Sequence, residues 1–210
     1  MPYQDPEIYH TTPTPHCPNS TLPVLVYRNV LGSPITVDSV THFFAQNEWH
    51  KGGVFKHYPT AHFHSNTHEC YAVVSGETEW VRAFDLQAVS FDKELIRSCL
   101  VTHTMNNNLY GVGPLDSPST SPGVTFSLSA GDIAVHAAGV AHRNVASSPD
   151  YEYVGVYPKG SPKWDNNFCK TDSNTTKEIT AKTEGVPVPE FDPVYGRGGP
   201  LFRLWSGGQK

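Results

Sequence analysis

The segment His57–Gly76, HYPTAHFHSNTHECYAVVSG, carries a metal-site pattern and a strand pattern in one run. His62 and His64 are two residues apart, which puts both imidazoles on one face of a β-strand. Ser65-Asn66-Thr67 is turn chemistry, so the chain is expected to fold back as a hairpin and bring Glu69 toward the two histidines. With the strand resuming at His68, Glu69, Tyr71, Val73 and Ser75 share one face, and His68, Cys70, Ala72 and Val74 share the other. A one-residue register shift would exchange the faces and make His68 the ligand in place of Glu69. Without that shift, His68 stands behind the ligands as a supporting group. Nitrogen and oxygen donors on one wall suit a borderline-hard divalent cation.

A second segment, Gly131–Asn144, reads GDIAVHAAGVAHRN: a Gly-Asp turn, a short apolar strand, a further glycine and then His142. Taken alone, His142 reads as a packed or surface residue. Taken with the first segment, the two patterns resemble the two-part signature of the cupin superfamily, and the family's metal ligands then fall on His62, His64, Glu69 and His142. Two turn-shaping positions depart from the pattern. Tyr58-Pro59 lies where a glycine is usual, with Gly53 further back, and Ala137 takes the place of a proline. Leu22–Arg28, Tyr153–Gly160 with Trp164-Asp165, Asp192–Gly196 and Gly199–Leu201 extend the resemblance to YjlB-type single-domain cupins, except across roughly 85–123. The resemblance implies an all-β fold, the cupin double-stranded β-helix or jelly-roll barrel, with one or two short helices. It also implies one divalent metal ion per chain (Fe, Mn, Zn or Ni) and a homodimer.

Composition agrees with one folded domain. The 210 residues carry 15 basic and 20 acidic side chains, a net charge of −5, with no basic stripe that would suit nucleic acid. The N-terminus lacks a basic and then apolar leader, and no apolar run is long enough to span a bilayer, so a cytoplasmic protein without membrane contact is expected. Cys17, Cys70, Cys99 and Cys169 are scattered and read as free thiols. Asn19-Ser20-Thr21 and Asn174-Thr175-Thr176 match the glycosylation triplet, a pattern common by chance.

In chain order, residues 1–20 read as an extended arm, 21–185 as the barrel with an inserted loop at 85–123, and 186–210 as a wrapping tail anchored by Trp205. Leu22–Val30 reads as a strand. Asp38 reads as the N-cap of a short helix carrying Val40, Phe43 and Phe44. Strands are expected through Val54–Ala83, Val124–Leu128, Ile133–His136 and Tyr151–Tyr157, and a short helix near Thr176–Lys182. The insertion, with Asn106-Asn107-Asn108 and several Gly and Pro, reads as a lid, a dimer contact or a surface tip.

Three further residues are candidates for chemistry. Arg82 is either a fork for a substrate carboxylate or enolate, or an outer-surface arginine. His136 is either a general base facing the lumen or a wall residue, and His103 is a weaker candidate of the same kind. His10, His16, His42, His50 and His57 carry no spacing signal and read as surface or packing residues. Three imidazoles and one carboxylate on an octahedral ion leave two positions for a small organic substrate, or for one substrate oxygen and O2. The expected function is that of a metal-dependent enzyme, oxygen-dependent or a Lewis-acid isomerase, cyclase or lyase. The alternatives are a non-catalytic small-molecule-binding protein and a purely structural fold.

Overall fold

The computed structural model describes residues 4–78, 108–117 and 123–207. Arg82, Cys99 and His103, and most of the insertion, lie outside the described residues. A six-stranded antiparallel sheet forms the main layer, in the order β1 (Glu7–Tyr9), β2 (Val24–Tyr27), β7 (Ile133–His136), β4 (Glu69–Ser75), β9 (Glu152–Pro158) and β3 (Trp49–Phe55). A three-stranded sheet, β6 (Val124–Phe126), β5 (Asn108–Tyr110) and β8 (His142–Asn144), faces it, and β10 (Phe191–Asp192) pairs with β11 (Gly196–Arg197) in a short ribbon. The chain is therefore mostly antiparallel β-sheet with three short helices among the described residues.

The central strands explain their own position. Val24–Tyr27 and Ile133–His136 are buried at every residue, as strands covered on both faces must be. β4 pairs with β7 so that Glu69 stands opposite His136 and Tyr71 opposite Ala134. On its other side Tyr71 stands opposite Gly155 and Val73 opposite Tyr153. The period-two reading thus holds from Glu69 to Val73, with the register against β9 breaking between Val73 and Ser75, and it carries Glu69, His136, Tyr71, Tyr153 and Tyr157 to one face of the sheet.

The hairpin expected at Ser65–Thr67 does not form. His62 bridges antiparallel to His142 and Phe63 to Asn167, while Glu69 pairs with β7, so the segment between them crosses from one sheet to the other. Glu69 still meets the histidines, from the opposite sheet. The first helix, α1 (Val37–Gln46), is capped by Thr36, two residues before the expected Asp38. Thr36 accepts from the Ser39 N–H while Ser39 Oγ accepts from the Thr36 N–H, a reciprocal pair that Asp38 inside the first turn cannot make.

The arm of residues 4–20 is more than a surface wrap, because β1 adds an edge strand to β2. Asn19, at φ 48°, is buried. Its amide donates to Thr12 O and Gly111 O at 2.6 and 2.9 Å, and its Oδ1 accepts from Ala141 N–H at 3.1 Å. The acceptor asparagine of the first glycosylation triplet is therefore sealed inside the fold, although Thr21 is exposed. α2 (Ser173–Glu184) is capped by Asp172, and the tail ends in α3 (Pro200–Ser206), a helix that its Pro and Gly content concealed. Trp205 anchors it as expected: the ring is fully buried and Nε1–H donates to Pro23 O at 3.0 Å. Asp192 locks the same tail, accepting from the Tyr27 hydroxyl at 2.5 Å and from the N–H groups of Val194, Tyr195 and Leu201.

Candidate metal centre

Five ionisable side chains converge between the two sheets. Donor atoms of His62, His64 and His142 lie within 4.8 Å of one another, and so do those of Glu69, His136 and His142. Glu69 Oε2 is 2.9 Å from His64 Nε2, 3.1 Å from His136 Nε2 and 3.3 Å from His142 Nε2, and all four side chains are at most 3 % exposed. The cupin resemblance placed the ligands on His62, His64, Glu69 and His142; in the fold Glu69 meets His64 and His142 directly, and His62 joins through the two histidines. His136 joins them because it sits opposite Glu69 across the β4–β7 pair.

The backbone fixes the tautomer of three of these rings. His62 Nδ1–H donates to Thr60 O at 3.0 Å, His142 Nδ1–H to Val140 O at 2.9 Å and His64 Nδ1–H to Asp165 O at 2.5 Å. With the proton on Nδ1, each neutral ring turns the lone pair of Nε2 into the site, the form that ligates a metal. The Asp165 carbonyl is itself held in place. Its carboxylate accepts from Ser65 N–H at 2.6 Å and Ser65 Oγ–H at 2.5 Å, and Lys182 lies 3.3 Å away.

The residues fit a cation. His64 Nε2 and His142 Nε2 are buried and make no hydrogen bond of acceptable geometry, close as they are to Glu69. A neutral imidazole lone pair against a carboxylate oxygen is two acceptors in contact, which is unfavourable unless positive charge sits between them. A proton on His64 or a divalent ion shared by the donors supplies it, and the donor set of imidazole and carboxylate suits Zn, Mn, Fe or Ni.

Electrostatics sort the five groups. Burial pushes His62 down to about 3 and His142 down to about 4, and lowers His136 as well. For His64 burial acts the same way, but the negative charge of Glu69 and the hydrogen bond to Asp165 O outweigh it, and the net shift is upward. Burial alone would raise Glu69, yet the positive charge of His64 and the hydrogen bond from His136 hold it well below the usual carboxylate range. Tyr157 donates its hydroxyl to Glu69 Oε1 at 2.5 Å, and burial with the neighbouring carboxylate keeps it a phenol.

A cavity of about 80 Å³ opens on the site, lined by Phe55, Tyr58, His62, His64, Glu69, Tyr71, Tyr153, Tyr157, Trp164 and Asn166. Trp164 stacks on Tyr157 with centroids 4.6 Å apart. Gly155 leaves room for the carboxylate, since a Cβ there would meet Phe55 Cε2 at 3.0 Å and Glu69 Oε1 at 3.3 Å. A wider depression of about 410 Å³ beside Lys56, His57 and Val145–Tyr151 contains none of this convergence.

Two named residues are placed differently from their first reading. His68 faces away from the centre, as alternation along β4 requires. Its Nε2–H donates to Pro187 O at 3.1 Å, its Nδ1 accepts from Ala138 N–H at 3.1 Å, and its ring packs on Trp205. The register with Glu69 inward is the one adopted. His136 lies behind Glu69 and outside the cavity walls, with Nε2 on the carboxylate and a buried Nδ1 that has no partner. Tyr157, Trp164, Asp165 and Asn166 escaped the spacing argument. The signal for the first was the tyrosine alternation along β9, and the other three come from a loop with no periodicity.

Comparison with known proteins adds one relative. The chain is 27 % identical over 184 residues to "Uncharacterized protein YjlB" of Bacillus subtilis (strain 168), covering 87 % of this chain and 86 % of that protein. No family model and no solved structure matches. The relative supports a YjlB-type family extending over most of the chain.

Proposed function

We propose that this chain is a single-domain cupin holding one divalent cation through His62, His64, Glu69 and His142, and that it is an enzyme acting on a small organic substrate. The observation that carries the reading is the set of three imidazoles whose Nδ1 protons are committed to main-chain carbonyls, which frees three Nε2 lone pairs that converge on one another, those of His64 and His142 lying directly on the buried Glu69 carboxylate. When bound, the cation supplies Lewis-acid polarisation of a substrate oxygen or, as iron, one-electron chemistry with O2. The protein's own groups do the rest. Tyr157 orients Glu69 and carries a proton at the cavity wall, His136 braces the other carboxylate oxygen, and the aromatic rings exclude water around the reacting atoms. Asn166 is the neutral polar group there, and about 80 Å³ admits roughly five to eight water-sized groups, which limits the substrate to a small molecule. A homodimer in the cytoplasm belongs to the same proposal, with light scattering as its check.

The test begins with elemental analysis of the protein as isolated, followed by O2-electrode and substrate-profiling assays on protein of full metal occupancy. Near-stoichiometric metal, lost in His142→Ala together with turnover, is expected. Full occupancy with no turnover of any candidate would favour a second reading, a non-catalytic binding protein. The tightness of the cavity and the four neighbours on Glu69 give that reading its support.

A further inference from the structure

A second cluster of reactive side chains lies beside the ligand-bearing backbone and takes no part in the site. Phe63, between His62 and His64, is fully buried in a small apolar core of its own with Cys17, Ala61, Ala141 and Cys169. Ala61 and Ala141 each precede a candidate ligand in sequence. Cys17 comes from the N-terminal arm, and Cys169 follows the loop that carries Trp164 and Asp165.

The two thiols are in contact. Their side chains pack in one small core, and a Cβ on Gly113 would lie 2.3 Å from Cys169 Cβ and 3.1 Å from Cys17 Sγ, so both atoms crowd one point. Gly113 must therefore stay without a side chain for the pair to sit as it does. Cys169 also holds a left-handed backbone, φ 55°, which a non-glycine residue keeps only where its surroundings demand it. Asp116 Oδ2 is 3.4 Å from Cys17 Sγ, and the two cysteines are at most 1 % exposed, so the reduced pair is shielded from bulk reagents once the fold is closed.

We propose that Cys17 and Cys169 form a disulfide that ties the N-terminal arm to the backing of the ligand segment. The third described cysteine, Cys70, is buried in the main core, away from this cluster. With glutathione disulfide as oxidant, one protein thiolate attacks it, forms a mixed disulfide and releases one glutathione thiolate. The second protein thiolate then attacks the protein sulfur of that mixed disulfide. The S–S bond closes, the second glutathione leaves, and the two protons of the protein thiols end on the two glutathiones. Two electrons pass from the cysteine pair to the oxidant.

The experiment refolds the full chain from denaturant, with chelator present, in glutathione buffers from fully reduced to fully oxidised. Samples are quenched with N-ethylmaleimide under denaturing conditions and mapped by peptide mass spectrometry. The expected result is a linked Cys17–Cys169 peptide pair, a chain two hydrogens lighter and Cys70 alkylated. The melting temperature of the wild type should fall by several degrees on adding dithiothreitol, with no such change in Cys17→Ser or Cys169→Ser. If both cysteines are alkylated or separately glutathionylated in the fully oxidised buffer while circular dichroism shows native sheet, the proposal is overturned. A link from either to another cysteine overturns it equally. Should the serine variants fail to fold, the wild-type peptide map decides alone. The outcome does not depend on whether the centre binds metal.

Discussion

Zinc binding at pH 6 should release close to one proton per chain. Of the four proposed ligands, His62 and His142 are pushed by burial to about 3 and about 4, so at pH 6 each is neutral to about one part in a hundred. Glu69 is ionised. His64 alone is raised above the ordinary imidazole value by the charge of Glu69, so it is the ligand that carries a proton to displace. Its Nδ1 proton stays on Asp165 O, so the proton displaced is the one on Nε2, the atom facing the carboxylate. Glu69→Gln removes the charge that raises His64, whose burial then lowers it like its neighbours. The variant should release almost no proton and bind zinc at least ~100-fold more weakly, about 3 kcal/mol. Titration calorimetry in two buffers of different ionisation enthalpy counts the protons. Release of two or more protons by the wild type, none at all, or an unchanged count in Glu69→Gln would refute this account of the centre.

Other expectations rest on single contacts. Tyr157→Phe keeps the stack on Trp164 but loses the hydrogen bond to Glu69, so metal affinity should fall about 10-fold and stability by ~1–3 kcal/mol, read by chelator competition and thermal melting. Asp165→Ala frees the segment that orients His64 and should weaken metal binding by ~10–100-fold, whereas Lys182→Met, at a side chain 56 % exposed, should cost under ~1 kcal/mol. Asp192→Ala strands the Tyr27 hydroxyl and three backbone N–H groups and should cost ~3–5 kcal/mol in urea denaturation. In the metal-free protein, acid acts through His62 and His142. Their folded values lie below the unfolded 6.5, so the unfolded chain takes up protons that the folded one refuses. Stability is therefore lost as pH falls from 6.5 toward 4 and below, by on the order of 3 kcal/mol for His142. His64 opposes this, since its raised value contributes fully below 6.5 and fades as pH rises through it. Denaturant midpoints measured from pH 8 to 4 give the net.

Two histidines at strand spacing and a carboxylate near them were legible because their signal is local, whereas His142 reads as a packed residue by itself and entered only through the resemblance of the two segments to the cupin signature. Phase left Glu69 and His68 as alternatives that a one-residue shift exchanges, and the pairing of Glu69 with His136 puts Glu69 on the inner face. The path between the ligands was not legible. A Ser-Asn-Thr run looks the same whether the chain turns back on itself or crosses to another sheet, and only the bridges from His62 to His142 and from Phe63 to Asn167 distinguish the two. His136 was ambiguous for a related reason. Its face follows from alternation, but whether that face meets open space or the back of a carboxylate depends on a neighbouring strand. The helix at Pro200–Ser206 was hidden by composition, since proline at its first turn and flanking glycines are also what a loop contains.

The carbonyls that set the ring protons are of two kinds. Thr60 and Val140 each lie two residues before the histidine they orient, whereas Asp165 is far away in sequence. Two imidazoles thus carry their own alignment wherever their short segments fold, and the third borrows its alignment from a distant loop. Displacing that loop would leave a half-assembled pair of nitrogens, so in the proposed metal centre capture and release of a cation would be governed from residues that never touch it.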